Sequence, residues 1–389
     1  MGEKIIPEKD IFTFHQKKYG KYYQTDNQDF LNLQLITYIG NKRKLFSFIE
    51  EGIKTVKKKF NKKKYIILDG FAGSGAVSRY LKRYSKILYV NDLEYYSYII
   101  NKCYLSNLSE IKVKQIREII SKLNTNKKRN DLGRGIIEKL YAPANDLDIQ
   151  QGERVFYTNQ NAKIIDNIRR MISDIELNKQ YLYIAPLLVK ASIHVNTSGV
   201  FKGFYKDKKT KIGKFGGRAK DCLRRIKGEI KLPIPIFSRY ECKVNITKKN
   251  INNLIKEIDE IDIFYIDPPY NQHPYGSNYH ILNTIALYKE PENISKTSGI
   301  PTDWNRSFYN KKEKADESFE DLIKNVNSKF IIVSYNKEGI ININRMENIL
   351  EKYGKVKRKE RRYSVFRGSR NLRSRTKEVK EVLFVCEKK

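Results

Sequence analysis

Residues 64–92 leave this chain little choice of fold. Lys64-Tyr65-Ile66-Ile67-Leu68-Asp69 is an apolar run of strand type, Gly70-Phe71-Ala72-Gly73-Ser74-Gly75 is a glycine-rich turn, and Ala76–Arg83 reads as a helix. A second strand-like run, Ile87–Asp92, follows and ends in an acid. Strand, tight turn, helix and strand form the unit from which parallel sheets covered by helices are built. Glycines at 70, 73 and 75 permit a sharp bend and a close approach of backbone to ligand. Such a turn serves several nucleotide cofactors. Asp92 falls roughly 20 residues past the start of the turn, where an open α/β fold places a carboxylate on a ribose diol. Capping of a helix that begins near Leu93 is an equal reading of the same residue.

A second apolar run, Ile261–Ile266, is broken only by Asp262 and ends in Asp267-Pro268-Pro269-Tyr270. This tetrad suits methylation of a planar amine at the carboxyl edge of a parallel sheet. The amino nitrogen of adenine is a poor nucleophile because its lone pair is delocalised, so it must be held by acceptors that favour a tetrahedral nitrogen. The Asp267 carboxylate and the Pro268 carbonyl are two such acceptors. Consecutive prolines have fixed φ and stiffen the loop that aims them. Tyr270 offers a flat face to an extruded base, a contact worth roughly 1–3 kcal/mol. One charge-assisted hydrogen bond contributes about 1.5–3 kcal/mol, whereas alignment of reactants supplies roughly 7–11 kcal/mol. Positioning therefore outweighs activation by Asp267.

A formal net charge of +33 calls for a polyanionic partner, with nucleic acid foremost. A biased Lys-rich composition is the plainer explanation, but Glu would then be expected to keep pace. The four cysteines stand far apart, which suggests neither a zinc site nor a disulfide framework and fits a reducing cytoplasm. Met1–Asp10 is charged, and no stretch reaches the roughly 18 apolar residues of a membrane span.

Taken together, these segments resemble the D12-class DNA adenine-N6 methyltransferases, the group that includes the Dam enzymes. Tyr38-Ile39-Gly40-Asn41-Lys42-Arg43-Lys44-Leu45 is similar to the amino-terminal lysine motif, Asp69–Gly75 to the glycine motif, and Asp267–Tyr270 to D-P-P-Y, in the family's order. Ser277–His280, Leu282–Ala286, Arg306–Tyr309, Val333–Gly339 and Phe366–Asn371 resemble further blocks. The resemblance implies S-adenosylmethionine as cofactor, with Tyr38, Lys42, Asp69, Phe71, Gly73, Gly75, Asp92 and Asp267 around it. Lys42, unremarkable alone, would face the methionine carboxylate. Relatives usually carry an acid after the third strand for the cofactor adenine. Val244–Asn250 has none, and Asn250 stands nearest, with an amide oxygen able to accept the same bond.

The implied architecture is a seven-stranded, mostly parallel sheet with an antiparallel last strand, formed from residues 31–108 and 241–389. Residues 109–240 would insert a smaller target-recognition domain, with double-stranded DNA in the cleft between. Periodicity there predicts helices over Ala162–Ile175 and Tyr181–Ile193. From Lys202 to Lys231 there are twelve Lys/Arg against three acids, interleaved with Phe201, Phe204, Tyr205 and Phe215, as a phosphate-tracking loop with stacking groups would have it. Lys202 and Lys214 are candidate phosphate contacts, and Arg218, Arg224 and Arg225 candidate base readers. A second basic segment, Lys355–Arg375, offers Arg367, Arg370 and Arg373 as a phosphate clamp. His273 and His280 lack metal-ligand spacing, and methyl transfer needs no metal. An N4-cytosine enzyme would share the geometry but more often carries Ser at the position of Asp267. A non-catalytic nucleic-acid-binding subunit is opposed by the intact tetrad and turn. A cognate restriction endonuclease is the expected functional partner.

Overall fold

The computed structural model describes residues 28–128, 133–217, 222–364 and 378–389. Strands β1 (Tyr65–Asp69), β2 (Ser85–Asn91), β3 (Lys243–Thr247), β4 (Ile261–Ile266), β5 (Ser328–Asn336), β6 (Gly354–Ser364) and β7 (Glu378–Lys388) lie among these residues. They form a seven-stranded sheet in the order β3-β2-β1-β4-β5-β7-β6. β1 to β5 are mutually parallel, while β7 runs antiparallel to both β5 and β6. This is the expected α/β methyltransferase architecture. β7 lies inside the sheet and β6 takes the edge.

Both faces of the sheet are buried, so its central strands read as apolar runs rather than as alternations. In β5, Phe330 and Ile332 join the apolar cluster on one face, and Ile331, Val333 and Tyr335 join that on the other. β7 divides likewise, with Leu383 and Val385 opposed to Val382, Phe384 and Cys386. The acid that interrupts β4 is accounted for locally: Asp262 accepts hydrogen bonds from the Ile66 amide at 2.8 Å and the Lys62 ammonium at 2.9 Å.

The intervening segment contains helices at Asn159–Ser173 and Tyr181–Ile193, close to the expected pair. Thr158 caps the first by accepting from the Asn161 amide at 3.1 Å. The second packs between the first and Tyr95–Tyr104, and is therefore apolar nearly all round. Ile168, Leu187 and Leu188 share one apolar cluster with Tyr104 and Tyr279. Phe201, expected as a stacking group in the basic loop, is instead a core residue: its ring meets Tyr279 edge-on and its carbonyl bonds the His280 ring at 2.9 Å. Among the described residues no helix is long and apolar enough to cross a membrane.

Candidate active site

β1 and β4 are neighbours, with Asp69 opposite Tyr265. The glycine turn and the Asp267–Tyr270 loop therefore leave the same edge of the sheet side by side. The chain passes from β1 to β2 in one direction and to β4 in the other, which makes this the switch point where open α/β sheets bind ligands. A cleft lies there, enclosing about 920 Å³ of space with open solvent included.

Gly73 and Gly75 have φ of +51° and +73°, a region costly for other residues. A Cβ at Gly73 would stand 2.6 Å from the Tyr38 ring, and one at Gly75 would stand 2.3 Å from the Asn101 amide. The glycines thus let the turn settle onto the protein's own side chains. Asp69 is fully buried behind the turn and accepts from the Ser78 hydroxyl at 2.5 Å; burial pushes its pKa up to about 7. Phe71 and Gly73 line the cleft, whereas Asp69 and Gly75 shape it from behind. Phe71 meets the Tyr309 ring edge-on at 5.0 Å.

Asp92 lines the cleft and clamps the turn, accepting from the Gly73 amide at 2.7 Å and the Glu94 amide at 2.9 Å. The following helix starts at Tyr95 without a side-chain cap. Burial lifts Asp92 to about 6. Beside it Glu94, which sequence reasoning passed over, is pushed up to about 7 by burial and then by the charge of Asp92, and is held by Asn283 at 2.6 Å. Asn250 is exposed at the cleft rim, its side-chain oxygen accepting from the Asn252 amide at 3.0 Å. Tyr275 and Tyr279 each stack against Tyr38 at 4.9 Å. The two lie 6.1 Å from each other, too close to stand on opposite faces of its ring, and Tyr38 lines the cleft.

At the far end of the cleft Asp267 meets Lys42. The ammonium lies 3.3 Å from the Asp267 carboxylate and 2.6 Å from that of Glu381 in β7, and it also bonds the Tyr270 hydroxyl. Tyr270 in turn donates to Asp267. Lys42 is 2% exposed, Asp267 15% and Glu381 0%. Burial raises the Asp267 pKa to about 6 against the pull of Lys42. For Lys42 burial works in the opposite direction, but the carboxylates of Asp267 and Glu381 outweigh it and hold the ammonium charged. Pro268 is buried, and Pro269 lines the cleft. The Ile340 amide bonds the Tyr270 carbonyl at 2.9 Å and the Asn310 side-chain amide bonds that of Asn271 at 2.6 Å, so the residues directly following Val333–Gly339 and Arg306–Tyr309 fix this loop. Tyr270 presents its ring edge-on to Tyr335 at 5.0 Å.

The model of the D12 class N6 adenine-specific DNA methyltransferases matches residues 38–349. The chain belongs to this family. The match takes in Lys42, the glycine turn, Asp92 and the tetrad, and it stops short of Glu381. Type II methyltransferase M.NlaIII of Neisseria lactamica is 31% identical over 361 residues, which cover 91% of this chain and 99% of that protein. Modification methylase StsI of Streptococcus sanguinis is 32% identical, over 90% of this chain and 52% of its own length. Type II methyltransferase M.FokI of Planomicrobium okeanokoites is 29% identical, over 82% and 47%. The chain thus spans nearly all of the first relative and about half of the other two. As a member of this class it is an adenine-specific DNA methyltransferase.

The basic stretch expected to meet DNA is anchored by buried Asn196, whose amide donates to the Val155 carbonyl at 2.7 Å and the Lys214 carbonyl at 2.9 Å. Lys206 pairs across to Gly213 in a short antiparallel bridge. Lys214 is exposed and 3.3 Å from Asp207, while Lys202 is half-buried and its charge reaches His273 in the active loop. Arg224 is exposed. Arg225 is committed to the protein: its guanidinium bonds the carbonyls of Ile193, Val195 and Thr197, closing the end of the Tyr181–Ile193 helix. Arg218, Arg367, Arg370 and Arg373 lie outside the described residues. His280 is buried, which lowers its pKa to about 4.

Proposed function

We propose that the chain methylates the N6 amino group of adenine at a specific sequence in double-stranded DNA, with S-adenosylmethionine as donor, as the modification arm of a restriction system in the cytoplasm. The observation that carries this reading is a single cleft walled by the glycine turn and Asp92 at one end and by Asp267 and Pro269 at the other. A mixed wall of backbone, aromatic and carboxylate groups fits a nucleoside joined to an amino acid. Asp92, Phe71, Gly73 and Tyr38 would hold the cofactor, with Asn250 at the rim and Lys42 near Asp267. When bound, S-adenosylmethionine supplies an electrophilic methyl on sulfur.

The protein's own work is to capture and orient. A duplex adenine cannot reach this edge, so the base must leave the stack. Tyr270 stands at the loop to meet it. Asp267 and the Pro268 carbonyl would then accept the two amino hydrogens, turning the nitrogen lone pair toward the cleft. The excess proton leaves by way of Asp267 to solvent. Lys202, Lys214 and Arg224 would track phosphates nearby.

Incubating the purified protein with S-adenosylmethionine and unmethylated genomic DNA, followed by nucleoside mass spectrometry and single-molecule sequencing, tests the reaction and the target sequence together. N6-methyl-2′-deoxyadenosine at one sequence motif is expected. N4-methyl-2′-deoxycytidine in its place, or no modified nucleoside, would refute the proposal.

A further inference from the structure

Glu381 interrupts a strand that is otherwise apolar toward the interior, and nothing in the sequence around it suggests a partner. In the fold its carboxylate is fully buried, accepts from the Ser334 hydroxyl at 2.6 Å and pairs with the Lys42 ammonium at 2.6 Å. Lys42 sits between two acids at unequal distances, with Asp267 the farther at 3.3 Å. The same Asp267 oxygen that faces Lys42 also accepts from Tyr270. A carboxylate engaged in this way cannot also grip an amino group through that oxygen. An arriving amino group therefore either takes the other oxygen or displaces one of these donors, and an ammonium displaced with no second partner would be left alone in the interior, which is strongly disfavoured.

We propose that Glu381 is a positioning residue for methylation: it holds the Lys42 ammonium in the interior, so that the lysine gives up Asp267 to an arriving amino group without becoming an unpaired buried charge. This rests on the reading of Asp267 as the acceptor. Glu381 is too deep to touch DNA, so it acts through Lys42. Among the described residues the other groups facing the trio are Asp69 from β1, Tyr265 from β4, Tyr270 and Tyr275 from the active loop, Tyr335 from β5 and Tyr363 from β6. None of them is cationic, so Lys42 is the positive centre of this group.

The test is Glu381→Gln, assayed for turnover across pH 5–9 with DNA and S-adenosylmethionine saturating. Without Glu381 the ammonium stays on Asp267, and turnover falls at least about tenfold, the scale of one charge-assisted hydrogen bond. KM for DNA is unchanged. The acid limb of the profile moves to lower pH, because Asp267 loses a like charge and keeps a closer cation. A purely structural defect would leave that limb in place. Wild-type turnover with an unmoved limb overturns the proposal. Should the variant not fold, thermal unfolding of Lys42→Met, Glu381→Leu and the double variant decides: the double must outlast both singles, and a double no more stable than Glu381→Leu overturns the pairing. A wild-type protein that leaves no N6-methyl-2′-deoxyadenosine would sink the functional reading itself, and would be seen before any variant is compared.

Discussion

Asp267 must be ionised to accept at full strength from an amino group and to take up the excess proton. With burial pushing its pKa up to about 6, turnover should fall as pH drops through that value and level off above it. Tyr270→Phe keeps the ring and removes the hydroxyl that donates to the charged carboxylate. The Asp267 pKa should then rise and carry the acid limb of kcat/KM to higher pH, which a steady-state profile would register. Asp267→Ala should lower turnover by at least about a hundredfold, the range of a positioned proton acceptor, while a gel-shift assay finds DNA affinity nearly unchanged. The tetrad was readable because its chemistry is contained in four adjacent residues. Glu381 was not, since its partner Lys42 is 339 positions away and only the fold brings the two together.

Elements were legible where one local rule governs them. β4 occupies the residues its apolar run predicts, and the glycine turn sits where strand and helix must meet closely. Gly73→Ala would require a side chain at positive φ, about 1–2 kcal/mol, as well as displacement of Tyr38. It should weaken S-adenosylmethionine binding in calorimetry beyond its effect on the melting temperature. What stayed hidden was the division of labour within the basic segment. Composition makes Arg224 and Arg225 look alike, yet one is exposed and the other closes a helix end. Arg225→Met should therefore cost about 1–3 kcal/mol of stability through unsatisfied carbonyls, seen as a lower melting temperature. Arg224→Ala should leave melting unchanged and loosen DNA. Phe201 departs from expectation for a related reason: aromatics among lysines read as a surface loop, whereas its ring packs on Tyr279 in the core.

Across the whole molecule, an excess of 77 Lys and Arg over 44 Asp and Glu makes association with DNA a matter of counterion release. Each phosphate neutralised should contribute about −0.9 to the slope of log affinity against log salt. Titrating a duplex at several potassium chloride concentrations measures that slope, and Lys202→Ala or Lys214→Ala should each make it shallower. Residues of the 109–240 segment share one apolar cluster with the sheet, so on the proposed reading a duplex met by Lys202 and Lys214 would be held by the same packed body that carries Asp267. The placement of β7 between β5 and β6 has a temporal side. A chain still emerging from the ribosome has Lys42 in hand long before residue 381 exists, and its sheet stays open at β5 until the closing hairpin is made. Competence to mark a genome would then arrive only once residue 381 has been made, giving each new molecule a silent interval after its birth begins.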